Sequence, residues 1–298
     1  MRVSVLRLRL ETFVDETAMV RSMAARMQAL ALDGVRLCVY PGLYGLCLAG
    51  PWPADVPWQS IVRAHPGLRH AFMSVASRAA RSAHMYLVPG SVLVPEGPGF
   101  IEWSGLFAPS GELVGDQVAT QPDPARPELV LSQRVRPLMT PHGAVGLLVG
   151  RDAEVPEVAR ILALQGARLL IAPRAPFAPY SAMQAMAGLW QVVQQNQVFG
   201  LESGLSGPAP GGARDGKAGA LAPSELSPGQ SGFLGRPGYY VGGDALTADL
   251  DFDRLQELRE RRPLQRHLNA ALYRRHAAVF GAAADGAPAP QAEDSVGV

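Results

Sequence analysis

The sequence predicts an α/β protein whose helices and strands pack in layers. Residues 145–149 and 169–172 are apolar runs of strand length, and the helical pattern between them makes a βαβ-like unit. Residues 85–94 and 100–108 are typical of paired antiparallel strands, because the Pro- and Gly-rich segment 95–99 joins them as a turn. Helices towards both ends of the chain, with antiparallel pairs between them, indicate the layered arrangement.

The N-terminal part of the chain begins with a strand that is followed by a capped helix. The alternation of Val3 and Val5 with polar neighbours predicts a strand over residues 2–10. Asp15 is typical of a helix N-cap, and the apolar residues that follow at helical spacing predict a helix to about Leu32. The other elements expected here are a strand at 36–40, a helical region at 57–83 with an interruption near 66–67, and a strand at 112–118.

The central stretch, residues 139–173, has the clearest pattern. Its first strand ends at Gly150, and Pro156 suits the first turn of a helix, where a missing N–H costs nothing. Gly166 is typical of a helix C-terminus. The remaining expected elements are a strand at 129–138, a helix at 180–197, a strand at 239–251, a helix at 252–261 and a C-terminal arm at 263–280.

We expect residues 1–280 to form one domain. The chain has 298 residues, of which 48% are hydrophobic, and this is enough to bury a sizeable core. The Gly- and Pro-rich segment 207–219 predicts a mobile loop within the domain. Residues 281–298 are rich in Ala and Pro and are acidic, which predicts a disordered tail.

The composition also narrows the classes of partner. A formal net charge of +1 argues against a nucleic-acid or membrane-surface partner. No apolar run approaches the roughly 18 residues of a spanning helix, and two cysteines make no disulfide framework, so a cytoplasmic protein is expected. His65 and His142 are isolated from other ligand types, and no glycine-rich phosphate loop is present. We therefore expect no metal and no cofactor.

The central stretch resembles the nucleophile-elbow region of the carbon–nitrogen hydrolase (nitrilase) superfamily. In that family, spaced glycines precede three hydrophobic residues, the nucleophilic Cys and an Asp, and then come Pro-Glu, an Ala-x-x-Gly-Ala helix end and a strand that ends in Pro. The residues in register are Gly143, Gly146, Asp152, Pro156, Glu157, Ala163, Gly166, Ala167 and Pro173. The resemblance covers almost all of residues 1–275. It implies a four-layer α-β-β-α sandwich and a homodimer that pairs through the helix after the elbow and the C-terminal arm.

The resemblance also implies where catalytic residues would stand. The family cleaves or condenses non-peptide amide and nitrile bonds with a Glu base, a Lys that stabilises the oxyanion and a Cys nucleophile. The Cys position is Gly150, the Glu position in Val-Tyr-Pro-Gly-Leu is Gly42, and the Lys position after the turn at 111–115 is Ala119. None of these three residues can take a proton, hold a charge or form the covalent bond.

Three interpretations of this loss remain open. In the first, the register is displaced and an active amidase or nitrilase uses relocated groups, for which Cys38, Cys47 and Lys217, the only lysine, are the candidates. In the second, the chain keeps the fold as a non-catalytic binding, regulatory or scaffolding protein. In the third, neighbouring groups perform unrelated chemistry. The second is the hypothesis that we carry forward, either with a small-molecule ligand in the widened pocket or with a triad lost only because a partial one would destabilise the fold.

Five residues near these positions are candidates for pocket residues, namely Tyr44, Trp103, Arg151, Asp152 and Arg174. Asp152 follows the elbow and either gives the pocket polarity or accepts hydrogen bonds from the backbone of the turn. Arg151 is the cation nearest in sequence and either binds a carboxylate bidentately or lies at the surface or in a dimer contact. Trp103 belongs either to the pocket wall or to the core.

Overall fold

The computed structural model describes residues 1–52, 56–235, 238–239 and 244–284. Its strands are β1 (Arg2–Leu8), β2 (Leu37–Val39), β3 (Tyr86–Val88), β4 (Ser91–Glu96), β5 (Gly99–Phe107), β6 (Leu113–Val118), β7 (Leu138–Thr140), β8 (Gly143–Leu147), β9 (Ala167–Arg174), β10 (Phe199–Gly207), β11 (Arg214–Asp215), β12 (Gly219–Leu221) and β13 (Ala245–Asp249). The α-helices are α1 (Glu16–Leu32), α2 (Trp58–Arg63), α3 (Leu68–Ala83), α4 (Pro156–Leu164), α5 (Ala182–Ala185), α6 (Gln191–Asn196), α7 (Phe252–Arg261) and α8 (Ala270–Ala284).

The strands lie in the order β4-β5-β3-β2-β1-β10-β9-β8-β7. The run from β3 to β8 is parallel, and antiparallel strands flank it on both sides. Strand β1 joins the two halves, because it pairs with β2 over Val3–Val5 and with β10 only at its last residues. The parallel strands therefore present their carboxyl ends at a common edge, where ligand sites of α/β sheets form.

Three apolar cores separate four layers. The middle core lies between the two halves of the sheet and holds Val5 and Val39 from one half and Ile171 and Leu201 from the other. An outer core packs α1 and α3 against the first half, and another packs α4 and α6 against the second. The α-β-β-α sandwich expected from the sequence is thus the observed architecture.

Several helices begin and end as their sequences predict. The Asp15 side chain accepts a hydrogen bond from the backbone N–H of Ala18 at 2.7 Å and caps α1. Pro156 is the first residue of α4, and Asp251 caps α7 through the N–H of Arg254 at 3.0 Å. The helical region at 57–83 divides into α2 and α3, as its Pro-Gly interruption predicts.

Among the described residues, no helix is both long and apolar enough to cross a membrane.

The prediction of a strand at 129–138 was wrong. Only Leu138 enters a strand, and Leu129 forms an isolated bridge to Phe100. The backbone of this segment instead makes scattered contacts with β5 and the end of β6, including hydrogen bonds from Val130 N to Phe100 O at 2.6 Å and from Ser132 N to Ala119 O at 3.0 Å. The segment covers the edge of the hairpin without extending the sheet.

The helix expected over 180–197 is broken. It consists of α5, a π-helical turn at Met186–Trp190 and α6, and the break occurs at Gly188, whose φ and ψ of −90° and −124° are not helical. Gly188 has no side chain to hold it in a helical conformation, which explains why the apolar spacing alone did not predict the break.

The segment 207–219 is more ordered than its composition predicts. It contains β11, which pairs with the end of β10, and it buries Arg214 to 5% exposure.

The strand predicted at 239–251 is β13, and residues 240–243 lie outside the described residues. Helix α8 continues to Ala284, so residues 281–284 of the predicted tail are helical, and its remainder, residues 285–298, lies outside the described residues.

Candidate functional site

A cleft of about 480 Å³ opens at the carboxyl ends of the parallel strands. The end of β9 and the turn after β8 form one wall, and the segment after β6 forms the other. Its lining is charged as well as apolar: Glu102, Asp123, Pro124, Ala125, Arg126, Gly150, Arg151, Glu154, Arg174, Ala175, Pro176, Phe177, Gln184, Ala187 and Arg214.

Two of the positions singled out in the sequence meet beside this cleft. A Cβ built on Gly150 would lie 3.4 Å from the Cβ of Ala119 and 3.2 Å from Oε2 of Glu102. The φ of Gly150 is +61°, a conformation that glycine adopts readily and that other residues adopt at a cost. The Glu102 carboxylate therefore lies in tight contact with the point where a Cβ at position 150 would stand.

Position 42 is closed by backbone. A Cβ on Gly42 would lie 2.9 Å from the carbonyl oxygen of Pro173 and 3.0 Å from the carbonyl carbon of Arg174. The Gly42 N–H donates to the carbonyl oxygen of Arg174 at 3.1 Å. Because backbone atoms stand on the side where a side chain would leave, this arrangement of β9 has no room for a larger residue at position 42.

Glu102 is the centre of a buried polar chain. Its Oε1 accepts a hydrogen bond from the Ser91 hydroxyl at 2.6 Å, and the same hydroxyl accepts one from the N–H of Leu43 at 2.8 Å. Its Oε2 lies 2.7 Å from the guanidinium of Arg126, which also pairs with Asp123 at 2.7 Å. Glu102 and Arg126 are 2% and 8% exposed, so each charge depends on the other in a poorly hydrated site.

Arg126 and Asp123 hold each other ionised. Burial lowers the pKa of Arg126, but Glu102 and Asp123 outweigh burial, and the pKa of Arg126 is raised. Burial likewise raises the pKa of Asp123, yet Arg126 outweighs it and leaves that pKa below its usual range. We expect Arg126 and Asp123 to be charged near neutral pH.

A second network surrounds Arg174, the last residue of β9. Its guanidinium donates to the carbonyl oxygen of Gly150 at 2.7 Å and pairs with the Glu154 carboxylate, which Arg151 also contacts at 2.7 Å. Glu202 lies 4.0 Å from the same guanidinium. Arg174 thus fixes the turn that carries Gly150, while its own carbonyl oxygen accepts from Gly42.

Glu202 is a buried carboxyl whose pKa is raised above its usual value. It lies on β10, and burial raises its pKa to about 7, although Arg174 and the Tyr239 hydroxyl act in the opposite direction. A carboxyl group with such a pKa is protonated in a substantial fraction of molecules at neutral pH. Such a pKa suits a general base, but Glu202 lies behind Arg174 and does not line the cleft.

Asp152 lies next to Gly150 but is not on the wall of the cleft. Its Oδ1 accepts from the N–H and hydroxyl of Thr120 at 2.9 Å each and from the N–H of Gln121 at 3.2 Å, and its Oδ2 accepts from the N–H of Val149 at 3.2 Å. Burial raises its pKa to about 6 against these hydrogen bonds. Asp152 fastens the segment after β6 to the turn after β8.

Tyr44 and Trp103 are also absent from the wall of the cleft. Tyr44 is 1% exposed and packs against the Tyr40 ring at 5.1 Å in the core under α1 and α3. Trp103 is 0% exposed and donates from its indole N–H to Asp116 at 2.8 Å. Adjacent strand residues point to opposite faces, so Glu102 faces the cleft and Trp103 faces away from it. Of the five candidates, Arg151 and Arg174 line the cleft.

The groups that a relocated active site would need are not among the residues that line the cleft. Cys38 and Cys47 are both fully buried in the core under α1 and α3, where burial raises the pKa of each thiol to about 12. Neither thiol lines the cleft. Lys217 pairs with Asp215 and lies 4.9 Å from the centre of the Tyr180 ring. These side chains give no thiolate–amine pair.

Sequence reasoning missed Glu102, Arg126 and Arg214. For Glu102, the hairpin of β5 and β6 contained an indication. Its register pairs Trp103 with Val118 and therefore places Glu102 opposite Ala119. The N–H of Ala119 in fact donates to the Glu102 carbonyl at 3.0 Å. A single carboxylate in an otherwise apolar strand is costly to bury without a partner. Arg126 and Arg214 lie in segments with no periodic pattern, which held no comparable signal.

The arrangement is suited to binding a polar or charged small molecule. The cleft lining carries four arginines and three acidic residues. In the part of the chain that the structure describes, no group of three or more His, Cys, Asp or Glu side chains is placed to hold a metal ion. Among the side chains that line the cleft, hydrogen-bond donors outnumber acceptors. No thiol and no lysine is among these lining residues.

Comparison with known proteins places the fold. The chain resembles the crystal structure of a carbon–nitrogen hydrolase from Helicobacter pylori G27, with a TM-score of 0.72 at 16% identity over 92% of this chain and 98% of that one. It also resembles an amidase from Nesterenkonia sp., with a TM-score of 0.68 at 23% identity over 92% and 95%. A mutant of the amidase from Nesterenkonia sp. AN1 was solved with the acetamide moiety of fluoroacetamide added covalently at its active-site cysteine, and it matches with a TM-score of 0.67 at 23% identity over 92% and 95%.

A search of the curated proteins finds no match. The family model for carbon-nitrogen hydrolases matches residues 15–199, which include the elbow and the positions of Gly42, Ala119 and Gly150. Since the match spans more than half of the sequence and agrees with the observed sandwich, the chain belongs to the carbon–nitrogen hydrolase family.

Proposed function

We propose that this protein binds a small molecule in the cleft and does not cleave it. The observation that carries the proposal is the Glu102 carboxylate, which lies 3.2 Å from where a Cβ on Gly150 would stand and pairs with Arg126 at 2.7 Å. A paired carboxylate therefore lies in tight contact with the point where a side chain at position 150 would begin. A carboxylate engaged in this way stabilises the site and is poorly placed to act as a nucleophile.

The positions of the family's base and cation support the same conclusion. Position 42 is enclosed by the backbone of β9, and position 119 is an alanine with 1% exposure. Loss of a nucleophile alone lowers a rate by on the order of a million-fold in a hydrolase triad. With all three groups missing, turnover by the family's mechanism has no chemical basis in this cleft.

An active amidase with relocated residues is the alternative function. It requires a nucleophile, a base and a cation at one point. Cys38 and Cys47 are not among the residues that line the cleft, burial holds their thiols protonated, and Lys217 is paired with Asp215. Glu202 has a pKa suited to a base, but no nucleophile accompanies it. These contacts favour the binding function over relocated catalysis.

We also propose that the protein is a homodimer. Helix α4, which follows the elbow, exposes Ile161 and Leu164 at 42% and 52%, and α8 exposes Leu272 and Tyr273 at 53% and 51%. Large apolar side chains on the outer faces of these elements support pairing through them, since their burial between two copies removes apolar surface from water. A dimer would place the two clefts on one assembly.

The experiment for the binding function is calorimetry on the full-length protein with amides, nitriles, carboxylic acids and amino acids. After each titration, the ligand is recovered and its NMR spectrum is recorded. We expect at least one ligand to bind in a 1:1 ratio to each chain and to be recovered unchanged. Recovery of the hydrolysed acid, in an amount that grows with time and protein concentration, would show catalysis. Failure of every class to bind would favour a scaffolding role.

A further inference from the structure

The guanidinium of Arg214 is the unbalanced charge of the cleft. Arg126 pairs with Glu102 and Asp123, and Arg151 and Arg174 share Glu154. Arg214 has no carboxylate within 4.0 Å among residues 1–52, 56–235, 238–239 and 244–284. It is nevertheless only 5% exposed. A buried charge without a counter-charge is costly, so an anion from outside would be bound favourably here.

The Arg214 side chain is fixed in place by neutral groups. It donates to the carbonyl oxygens of Ala175 at 3.3 Å and Pro210 at 3.1 Å, and its Cζ lies 3.7 Å from the centre of the Phe177 ring. Its Nε finds no acceptor among the described residues. A guanidinium has several N–H donors in one plane, and the two carbonyls use only part of them. The remaining donors suit a carboxylate, whose two oxygens match this planar geometry.

A small apolar recess adjoins the same guanidinium. Arg214, Arg126, Ala125 and Phe177 line both the main cleft and this recess, so the two cavities adjoin at these residues. The recess has a volume of about 110 Å³, and its other walls are Leu43, Leu46, Trp58, Leu93, Pro210 and Gly211. A ligand held by Arg214 therefore has a place for an uncharged, apolar group within reach.

We infer that the cleft recognises a monocarboxylate with a short apolar chain, whose carboxylate binds Arg214 and whose chain enters the recess. The inference rests on the binding function proposed above and names its ligand class. One negative charge suffices, because Arg126, Arg151 and Arg174 are already paired with acidic side chains. A second carboxylate on the ligand would meet Glu102 and Asp123 beside Arg126 and would be repelled.

The test compares pentanoate with pentanamide, which have the same carbon skeleton and differ in charge. Calorimetry on the full-length protein is expected to show pentanoate binding about 10- to 100-fold more tightly than pentanamide, as charge-assisted hydrogen bonds imply. Acetate, which cannot fill the recess, and pentanedioate, which carries a second charge, are expected to bind more weakly than pentanoate. Equal affinity of pentanoate and pentanamide, or no binding of either, would overturn the inference.

Arg214→Gln tests the assigned residue. This variant is expected to lose the preference for pentanoate over pentanamide, whereas Arg254→Gln, on the exposed face of α7, is expected to keep it. Circular dichroism establishes whether each variant is folded. If Arg214→Gln does not fold, Arg214→Lys replaces it, and pentanoate affinity must fall because the planar donor array is lost. An unchanged preference in the folded variant would contradict the assignment.

The outcomes separate this inference from the proposed function. Release of ammonia from pentanamide would refute non-catalytic binding, while the comparison of charged and neutral ligands would still decide the role of Arg214. Binding of neutral amides or nitriles without any preference for carboxylates would refute the ligand class and leave non-catalytic binding in place.

Discussion

Oε2 of Glu102 lies 3.2 Å from the point where a Cβ on Gly150 would stand, and the Ala119 Cβ lies 3.4 Å from the same point. The point where a side chain at position 150 would begin is thus bounded by a carboxylate and a methyl group. Arg126 and Ser91 hold that carboxylate from the other side. Position 150 therefore borders a buried ion pair.

Gly150→Ala is expected to destabilise the protein by more than its backbone conformation alone requires. A residue with a side chain at a φ of +61° costs about 1–2 kcal/mol, and the new Cβ would also crowd Glu102. Gly229→Ala is the matched control, because Gly229 has a φ of +59° with no atom within 4 Å of a Cβ. Urea unfolding of both variants gives the loss in free energy of unfolding. Equal losses would show that Glu102 moves away from the new Cβ without an energetic cost.

Gly150→Cys is expected to remain inactive on amides and nitriles. The new thiol would stand beside Glu102, and a neighbouring carboxylate raises a thiol pKa and lowers the fraction of thiolate. Position 119 supplies no cation for the oxyanion. Ammonia release is the measurement, with an active amidase of the family as the positive control. Turnover by Gly150→Cys above that of the parent protein would show that only the nucleophile was missing.

Glu102→Gln is expected to lower the free energy of unfolding by about 1–3 kcal/mol. The variant leaves Arg126 with Asp123 as its one charged partner, so the loss should stay below the 3–5 kcal/mol typical of a fully orphaned buried charge. Glu112→Gln, in the exposed turn of the same hairpin, is the control and should change little. If Glu102→Gln were as stable as the parent, the ion pair would contribute nothing to the fold.

Glu202 predicts a specific dependence of stability on pH. Its pKa is about 7 in the folded protein against a reference of 4.5, so between these values the folded protein binds a proton that the unfolded chain has released. Stability should therefore fall as pH rises from about 4.5 to about 7, by up to about 3 kcal/mol from this residue. Glu202→Gln should remove that part of the slope.

Urea unfolding at pH 5 and pH 8 checks the Glu202 prediction, with Glu112→Gln as the variant that should keep the parent's slope. The quantity to compare is the change in free energy of unfolding between the two pH values. An identical change in the parent protein and in Glu202→Gln would show that the pKa of Glu202 is not raised. A rise in stability with pH below about 4.5 that Glu202→Gln abolishes would show that Arg174 holds Glu202 ionised, with a lowered pKa.

Leu164→Asp is expected to convert a homodimer into a monomer. Leu164 lies on the outer face of α4 at 52% exposure, and a charge buried between two copies is costly. Val14→Asp is the control, since Val14 is 91% exposed and precedes the cap of α1. Light scattering during size-exclusion chromatography gives the mass of each. A monomeric parent protein would contradict the proposed dimer, and a dimeric Leu164→Asp would place the interface elsewhere.

Local rules of sequence explain which parts of the fold were predictable. The cap at Asp15, Pro156 at the start of α4 and the glycine after it at position 166 each act through neighbouring backbone groups. Strand β10 was missed, although it lies between β1 and β9 at the centre of the sheet. Its sequence, Phe199–Gly207, includes Gly, Ser and Glu, so it lacks both an apolar run and strict alternation. Tertiary pairing alone makes it a strand.

The site was predictable only where it coincides with a motif. Gly150 and Ala119 were found from the pattern around them, and the structure brings them together. Arg126 and Arg214 lie in a Pro-rich loop and a Gly-rich loop, so nothing local indicates that they become buried at the cleft. Their role follows from long-range packing, which spacing along one chain does not encode.

Non-catalytic binding is tested most directly by measuring ammonia release and intact mass on one sample. The full-length protein is incubated with a panel of amides and nitriles, and mass spectrometry follows any covalent adduct. We expect ammonia at the level of the protein-free control and an unchanged protein mass. Ammonia that increases in proportion to protein, together with an acyl adduct mapped to a residue of the cleft, would contradict it.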